Sequence, residues 1–220
     1  EHRVPYMFNS RLARIAPEHD FQMRDVALAA SASPTLFHPV RFPRSSQSGR
    51  LICLVDGGVF ANNPAVYALS ESKAISQNVD EKYFIVSIGT GKSSRALSDE
   101  FVSLWGYVQW SGPMLELVME SNSECVHEQM KHLLSYPDAQ SYFRLQVELS
   151  GSESTHALDD ASSKNITSLI RTAENFCKES LAGMELDFVC EKLLELTERE
   201  NSAAVESLHA QSKSTRNSLK

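Results

Sequence analysis

The stretch that decides the fold is Leu51-Ile52-Cys53-Leu54-Val55-Asp56-Gly57-Gly58-Val59-Phe60-Ala61-Asn62-Asn63-Pro64. Its five leading apolar residues predict a buried parallel strand that is covered on both faces. The glycines after Asp56 predict a tight turn, because glycine takes the positive φ angles that other residues avoid. Pro64 suits the first turn of a helix, with Asn63 before it as the N-cap. The strand thus delivers one carboxylate, that of Asp56, into a turn with almost no side chains.

An isolated Asp-Gly-Gly is also common as an ordinary strand-end turn, so the neighbouring segments decide whether Asp56 has a chemical role. Upstream, Asp25–Pro39 predicts a helix that runs into an Ala/Ser-rich stretch and then into Pro34-Thr35-Leu36-Phe37. Downstream, Phe84–Gly91 predicts a second apolar strand with the exit Ile88-Gly89-Thr90-Gly91. The three segments, in this order and spacing, resemble the patatin-like phospholipases.

The later segments Tyr142–Leu145 and Leu158–Ser162 are also similar to that family, so the resemblance runs from about Val4 to about Gly183. It implies a layered α/β fold, with a mostly parallel central sheet flanked by helices. It also implies a lipid acyl hydrolase, a phospholipase A or carboxylic ester hydrolase, that works through a Ser–Asp dyad without a histidine and without a metal or organic cofactor.

The resemblance implies roles for three residues of the acid motif. Asp56 would be the proton acceptor that activates the serine. Gly57 and Gly58 would let the turn pass close to the nucleophile and the substrate without a Cβ in the way. Asn62, Asn63 and Pro64 are expected to hold the helix after the turn instead of contacting substrate.

One part of the family pattern is missing from this sequence. Family members carry a Gly-x-Ser-x-Gly nucleophile elbow and a glycine-rich oxyanion loop upstream of the acid motif, whereas no two of the nine glycines here bracket a serine at that spacing. The sequence also begins at Glu1. We therefore expect residues 1–183 to be the C-terminal part of a patatin-like domain whose N-terminal part is absent, and residues 184–220 to be a helix followed by a polar, partly disordered tail. The alternative is a non-catalytic fragment or pseudoenzyme that binds lipid or a partner.

Composition argues against nucleic acid as a partner. The 220 residues have a net charge of −7, which argues against nucleic acid, because binding to phosphates depends on clustered Lys and Arg. A lipid or acyl-ester substrate would be met by apolar contact, through peripheral attachment to a membrane. The four cysteines form no Cys-x-x-Cys pair and need no disulfide framework, so a cytoplasmic or peripheral-membrane location is expected.

Three rival motifs fail on spacing or context. The segment Gly89–Ser94 copies the end of a phosphate-binding loop, but the glycine required five residues before Gly91 is Val86, so a strand-exit turn is favoured. His127 and His132 lie five residues apart and point in different directions on a helix, so both are predicted to be polar surface residues and not metal ligands. Asn165-Ile166-Thr167 is a glycosylation sequon that we expect to be unused.

The Phe101–Leu117 region is rich in aromatic and aliphatic residues, and two explanations remain open. Aromatic residues with one apolar and one polar edge suit a lipid interface. A helix that faces the protein core shows the same composition, and it is favoured because such stripes more often pack against protein.

Apolar periodicity predicts the remaining elements, which alternate as in a layered α/β domain. The predicted order is helix Met23–Ser31, strand Leu51–Val55, helix Pro64–Gln77, strand Tyr83–Ile88, helical region Asp99–Ser135, strand Tyr142–Leu149, helix Ala157–Leu181 and helix Leu186–Glu198.

Overall fold

The computed structural model describes residues 4–43, 51–76, 82–93, 102–134, 141–149 and 159–217. Within them the α-helices are α1 (Ser10–Ile15), α2 (Met23–Ala30), α3 (Gly58–Ala61), α4 (Ala65–Ile75), α5 (Tyr107–Trp110), α6 (Pro113–Leu134), α7 (Ser163–Lys178) and α8 (Ser180–Asn217), with a 3-10 turn at Pro17–His19. The strands are β1 (Val40–Pro43), β2 (Leu51–Leu54), β3 (Ile85–Ile88), β4 (Lys92–Ser93), β5 (Tyr142–Leu145) and β6 (Glu148–Leu149). None of the helices described is long and apolar enough to cross a membrane.

The predicted α/β class is confirmed, whereas the single central sheet stays a prediction. The described strands form three separate pairs, of which β3–β5 and β4–β6 are parallel and β1–β2 is antiparallel. The connection from β3 to β5 contains α5 and α6, as a crossover between parallel strands requires.

The two parallel pairs are consecutive parts of one ladder with a single extra residue. Ile88 pairs with Leu145 and Lys92 pairs with Glu148, so three residues on the first strand stand opposite two on the second. This is the arrangement of a β-bulge. Gly91 supplies it with φ of +112°, and a Cβ there would lie 2.7 Å from Leu149 Cγ. The predicted strand-exit turn is thus an interruption after which the chain forms β4, and Gly91 is needed there for backbone and space.

The prediction that Leu51–Val55 is covered on both faces is wrong. Strand β2 pairs with β1, and the side chains of Leu51 and Val55 remain 60% and 47% exposed. Ile52 and Leu54 are half-buried, so the strand alternates in the manner of a sheet with one covered face. The apolar run could not distinguish these cases, because the composition of a strand does not say which elements lie against it.

The core lies between α4, α6 and β3. Ala65 and Leu69 of α4 pack against Met130 of α6, which is completely buried. Around them lie six partly buried side chains: Val66, Tyr83, Ile85, Val126, Leu134 and Tyr142. The helix predicted after Pro64 is therefore confirmed, and the structure shows that Ala65 and Leu69 lie on its buried face.

A second cluster joins the N-terminal segment to β1. The rings of Tyr6, Phe8, Phe21 and Phe42 meet mostly edge to face, with neighbouring centroids 5.2–6.2 Å apart. Such contacts add roughly 0.5–1.5 kcal/mol per pair to the stabilisation from burial. They hold the segment that carries α1 and α2 against the antiparallel pair that leads to Asp56.

The C-terminal segment differs from its expected form. Helix α8 begins at Ser180 and continues to Asn217, through most of the segment for which the sequence predicted a partly disordered tail. The stretch from Arg199 contains Ala203, Ala204 and Glu206 and has no glycine or proline, so helical propensity favours its continuation. The division into residues 1–183 and 184–220 stays a prediction.

Replacing the bulge glycine should destabilise the fold. We expect Gly91→Ala to lower the free energy of unfolding by about 1–3 kcal/mol, because alanine is strained at this φ and its Cβ meets Leu149. Gly112→Ala is the matched control, since a Cβ at Gly112 has no neighbour within 4 Å. Urea denaturation of both variants measures the difference, and equal stabilities would contradict the assigned role of Gly91.

Candidate active site

Asp56 follows β2 after one intervening residue, Val55, because the strand ends one residue earlier than predicted. It is half-buried, and its backbone N–H donates to the carbonyl of Ala32, with N and O 3.0 Å apart. Ala32 follows α2 in the Ala/Ser-rich stretch, so this bond connects two of the segments that carry the family resemblance. In the same loop Thr35 has φ of 78°, which a β-branched residue rarely adopts.

The carboxylate of Asp56 is held by one of its two oxygens. Its Oδ1 accepts a hydrogen bond from the backbone N–H of Gly58 at 2.5 Å, which closes a short Asx-type turn. No residue in the described part of the chain donates to Oδ2. An anchored carboxylate with one open oxygen can accept a proton from a group brought to it.

The two glycines of the motif do not behave as predicted. Neither takes a positive φ, since within the described residues only Thr35 and Gly91 do. Gly57 has φ −70° and ψ −22°, and Gly58 begins α3. The backbone can use helical angles here because the Asx turn, not a left-handed glycine, reverses the chain.

The need for glycine at position 58 is steric. A Cβ on Gly58 would lie 3.0 Å from Asp56 Oδ1 and 3.1 Å from Met119 Cε, whereas one on Gly57 would find its nearest neighbour at 4.0 Å. Gly58 is therefore enclosed between the carboxylate and α6, and Gly57 is open. The prediction that both glycines let the turn approach the nucleophile and the substrate stays a prediction, and within this chain only Gly58 lacks room for a Cβ.

Asn63 helps to hold the start of the helix, as predicted, but it is not the N-cap: the N-cap is Pro64, and α4 begins at Ala65. It is 1% exposed, and its Oδ1 accepts from the Ala65 N–H at 3.2 Å and from the Ser87 hydroxyl at 3.1 Å. Its Nδ2 donates to the carbonyl of Ser123 at 3.3 Å. One side chain thus joins the start of α4 to β3 and α6.

Arg144 extends this network and was missed by the sequence analysis. Its guanidinium donates to the Ser87 hydroxyl at 2.6 Å and to the Ser123 hydroxyl at 2.9 Å. The signal that could have found it is a charged residue within an otherwise apolar strand, since a buried charge needs partners. These hydrogen bonds link α4, α6, β3 and β5, the elements around the acid-bearing turn.

The described residues supply no nucleophile to Asp56. Among them, the only hydrogen bond recorded for its carboxylate comes from the Gly58 backbone, and no serine, threonine or cysteine side chain bonds to it. The four cysteines are all free and exposed. Asp56 as proton acceptor stays a prediction.

The histidine pair has a different environment from the one predicted. His132 is exposed, but His127 is half-buried against Tyr142, with ring centroids 5.6 Å apart. Ligand atoms of His127, Glu124 and Glu128 lie within 4.8 Å of one another, the kind of spacing that can hold a cation.

Both carboxylates of this group already have lysine partners. Lys92 lies 3.5 Å from Glu124 and Lys131 lies 2.7 Å from Glu128. The ion pairs compete with a cation for the same oxygens, so the arrangement favours a polar surface cluster.

The Asn165 sequon lies at the start of α7. The Asn165 side chain is buried, and its amide donates to the Asp160 carbonyl at 2.8 Å, so it is not presented for glycosylation.

Comparison with known proteins agrees with the motifs. The model of the family described as patatin-like phospholipase matches residues 2–69, which include both the Ala/Ser-rich stretch and the acid motif. Patatin-like protein 1 and patatin-like protein 4 of Arabidopsis thaliana are 27% and 26% identical to this chain, and both alignments cover 83% of it.

This chain is related to the patatin-like phospholipases. Another patatin relative, probable inactive patatin-3-Kuras 1 of Solanum tuberosum, is 28% identical over 81% of the chain. The three alignments cover 49%, 50% and 52% of the relatives, so the chain spans about half the length of the patatins that it matches.

Crowding at Gly58 yields a test of the turn. We expect Gly58→Ala to lower the free energy of unfolding by about 1 kcal/mol or more relative to Gly57→Ala, because the new Cβ presses on the carboxylate and on Met119. Thermal melting of the two variants side by side measures this. A melting temperature of Gly58→Ala equal to or above that of Gly57→Ala would contradict the claim that Gly58 has no room for a Cβ.

His127 should make the fold sensitive to mild acid. Burial lowers the pKa of His127 from its usual 6.5, against the opposing effect of Glu124, while Lys131 and Arg144 lower it further. As the pH falls below 6.5, the unfolded chain takes up this proton before the folded chain does, so folded stability decreases.

Removing the titrating group should remove that contribution. We expect His127→Gln to lose less melting temperature than the parent between about pH 7.5 and about pH 5.5, the range in which histidine titrates. His132→Gln, on the exposed part of the same helix, is the control and should behave as the parent does. A His127→Gln profile parallel to the parent profile would show that His127 titrates alike in both states.

Proposed function

We propose that the whole protein to which this chain belongs is a lipid acyl hydrolase, a phospholipase A or other carboxylic ester hydrolase, that acts in lipid breakdown. The observation that carries the proposal is the half-buried Asp56, held at Oδ1 by Gly58 and with no donor to Oδ2 among the described residues, within the part of the chain that matches the patatin family. Location in the cytoplasm or at a membrane surface stays a prediction.

The chemistry assigned to Asp56 is proton transfer without a histidine. A serine hydroxyl from the rest of the protein would attack the ester carbonyl while Asp56 Oδ2 takes its proton. The proton then goes to the leaving alcohol, which leaves an acyl-serine. Water attacks the acyl-serine, gives its proton to the same carboxylate, and releases the fatty acid as the proton returns to the serine.

The residues of this chain would contribute position to that reaction. The Gly58 amide fixes the direction of the carboxylate. The bond from the Asp56 amide to the Ala32 carbonyl holds the backbone of Asp56 against the loop after α2. Positioning of this kind matters because small displacements of a reacting group reduce rates strongly.

A non-catalytic protein that binds lipid or a partner is the second candidate. It is favoured by the absence of a Gly-x-Ser-x-Gly elbow from these residues and by the relative whose name describes it as a probable inactive patatin. The sequence upstream of Glu1 discriminates between the two: an elbow after an apolar strand supports the hydrolase, and its absence from the gene product supports the binding protein.

Replacing the acid tests the hydrolase directly. In a form of the protein that contains the elbow, Asp56→Asn should reduce hydrolysis of a nitrophenyl ester by a factor on the order of 10²–10⁴, the usual contribution of a general base. Folding should be kept, because the asparagine amide oxygen can still accept the Gly58 N–H.

Asp159→Asn is the matched control. Asp159 does not cap the helix that follows it, because the N-cap is Ser162, whose hydroxyl accepts from the Asn165 N–H at 3.3 Å. Asp159 itself is exposed, so its replacement should change neither melting temperature nor turnover. Near-native turnover in Asp56→Asn would show that Asp56 is a structural turn residue.

A further inference from the structure

An uncharged and apolar surface protrudes beside the candidate active site. Leu104, Tyr107 and Val108 are 84%, 91% and 78% exposed. Their neighbours Met114, Leu117 and Val118 at the start of α6 are exposed too. We call these six residues the 104–118 surface. The favoured expectation, that this region packs into the core, is therefore wrong for most of its large side chains.

The outer stripe of α6 changes character along its length. Met114, Leu117 and Val118 have the i, i+3, i+4 spacing of one helix face, and Cys125 and Glu128 continue that face. It is apolar only in its first two turns, nearest α5. Leu133, near the other end of α6, is the one other exposed large apolar residue of this helix, so the exposed apolar residues of α6 concentrate at the end nearest α5.

The turn that displays this surface is locally ordered. Trp105 and Trp110 pack edge to face with centroids 5.3 Å apart. The side-chain oxygen of Gln109 accepts from the Gly106 N–H at 3.1 Å and caps α5. Tyr107 and Val108 are thus held outward by a formed helical turn, which reduces the entropy lost when they bind.

The 104–118 surface adjoins Asp56 through one residue. Met119 directly follows Val118, and its Cε would lie 3.1 Å from a Cβ at Gly58. The Met119 carbonyl also accepts from Asn62 Nδ2 at 3.5 Å. The outer face of α6 therefore begins beside the turn that holds the carboxylate.

We propose that the 104–118 surface is the face by which the protein inserts into a zwitterionic lipid surface, so that an ester enters from the lipid toward Asp56. This proposal rests on the proposed function, because the surface serves to deliver substrate only if the protein is a lipid acyl hydrolase. The chemistry matches an interface: Tyr and Trp rings have apolar bodies and polar edges, and aliphatic side chains enter the acyl region.

Charge selects this occupant. Residues 102–115 contain no charged side chain, the exposed Glu116 is the one charged residue between positions 104 and 118, and the chain as a whole has a net charge of −7. Anionic lipids would repel such a protein, and no basic residues lie within the surface to attract them. A neutral or zwitterionic lipid surface requires only apolar contact.

Vesicle binding tests the proposal on the full-length protein. With phosphatidylcholine vesicles, the protein should float with the lipid, and Leu104→Ser with Val108→Ser should weaken partitioning roughly tenfold or more, because two large apolar contacts are lost. The matched control is Ile15→Ser with Met23→Ser, which removes two exposed apolar side chains elsewhere and should bind as the parent does. Equal binding by both double variants, or no binding by the parent, overturns the proposal.

Tryptophan emission reports on the same face. Trp105 and Trp110 are the two tryptophans of this chain, so the emission lost in Trp105→Phe with Trp110→Phe isolates their signal. That signal should shift to shorter wavelength when vesicles are added. An emission that lipid does not change means that the rest of the protein covers the surface. A fall in oligomer mass in the Leu104→Ser, Val108→Ser variant without lipid means that a second copy does. Either result overturns the proposal.

Activity separates this proposal from the function on which it rests. The Leu104→Ser, Val108→Ser variant should hydrolyse a dissolved nitrophenyl ester at the parent rate and lose activity on vesicles, whereas Asp56→Asn should float with vesicles and hydrolyse neither. If the parent hydrolyses no ester, the proposed hydrolase function is wrong, whereas the flotation experiment still tests whether the 104–118 surface inserts into lipid.

Discussion

The buried amide of Asn63 is the interaction on which most of the described structure depends. It satisfies the first free N–H of α4, accepts from β3 through Ser87, and donates to the backbone of α6 at Ser123. A buried polar side chain is stable only when its hydrogen bonds are made, so all three elements have to be in place together. Arg144 adds a charged donor to both serines and makes the requirement stricter.

The acid-bearing turn depends on that framework. Asp56 stands between β2, which is held by β1, and α3, which lies against α6. Its carboxylate is oriented by a backbone amide two residues away and its own amide by Ala32, so the turn joins the loop after α2 to the start of α3. A side chain held in this way loses little entropy when it meets a reacting group, which is the condition for an effective general base.

Exposure of apolar residues has a different meaning in different parts of the chain. Among the described residues β2 pairs with β1 alone, so its other edge offers backbone groups of the kind that pair with another strand. The 104–118 surface is helical, so its backbone groups are already bonded within the turns and only side chains are presented. A helical apolar face can therefore meet lipid without leaving backbone groups unsatisfied.

The amino-acid sequence by itself determined most of the longer helices and strands, the place of Asp56 and the relation to the patatins, but it did not predict α1, β1 or α3. Apolar periodicity and the spacing of Asp, Gly and Pro are local properties, and they found α2, α4, β3 and the strand that ends at Asp56. Local pattern also predicted that Gly89–Gly91 is a strand exit, because a phosphate loop needs a glycine where Val86 stands.

Only the tertiary structure decided which faces are covered and which atoms meet. The same apolar run suits a strand with one or two covered faces, and the same aromatic stripe suits a core helix or a lipid interface, because both differences lie in the neighbours. The partners of Asn63 come from Ser87 and Ser123, which are far away in the chain, so no local rule could find them. Gly58 shows the limit clearly: the space for its Cβ is closed by Asp56, two residues before it, and also by Met119, 61 positions further along, and not by its own backbone angles.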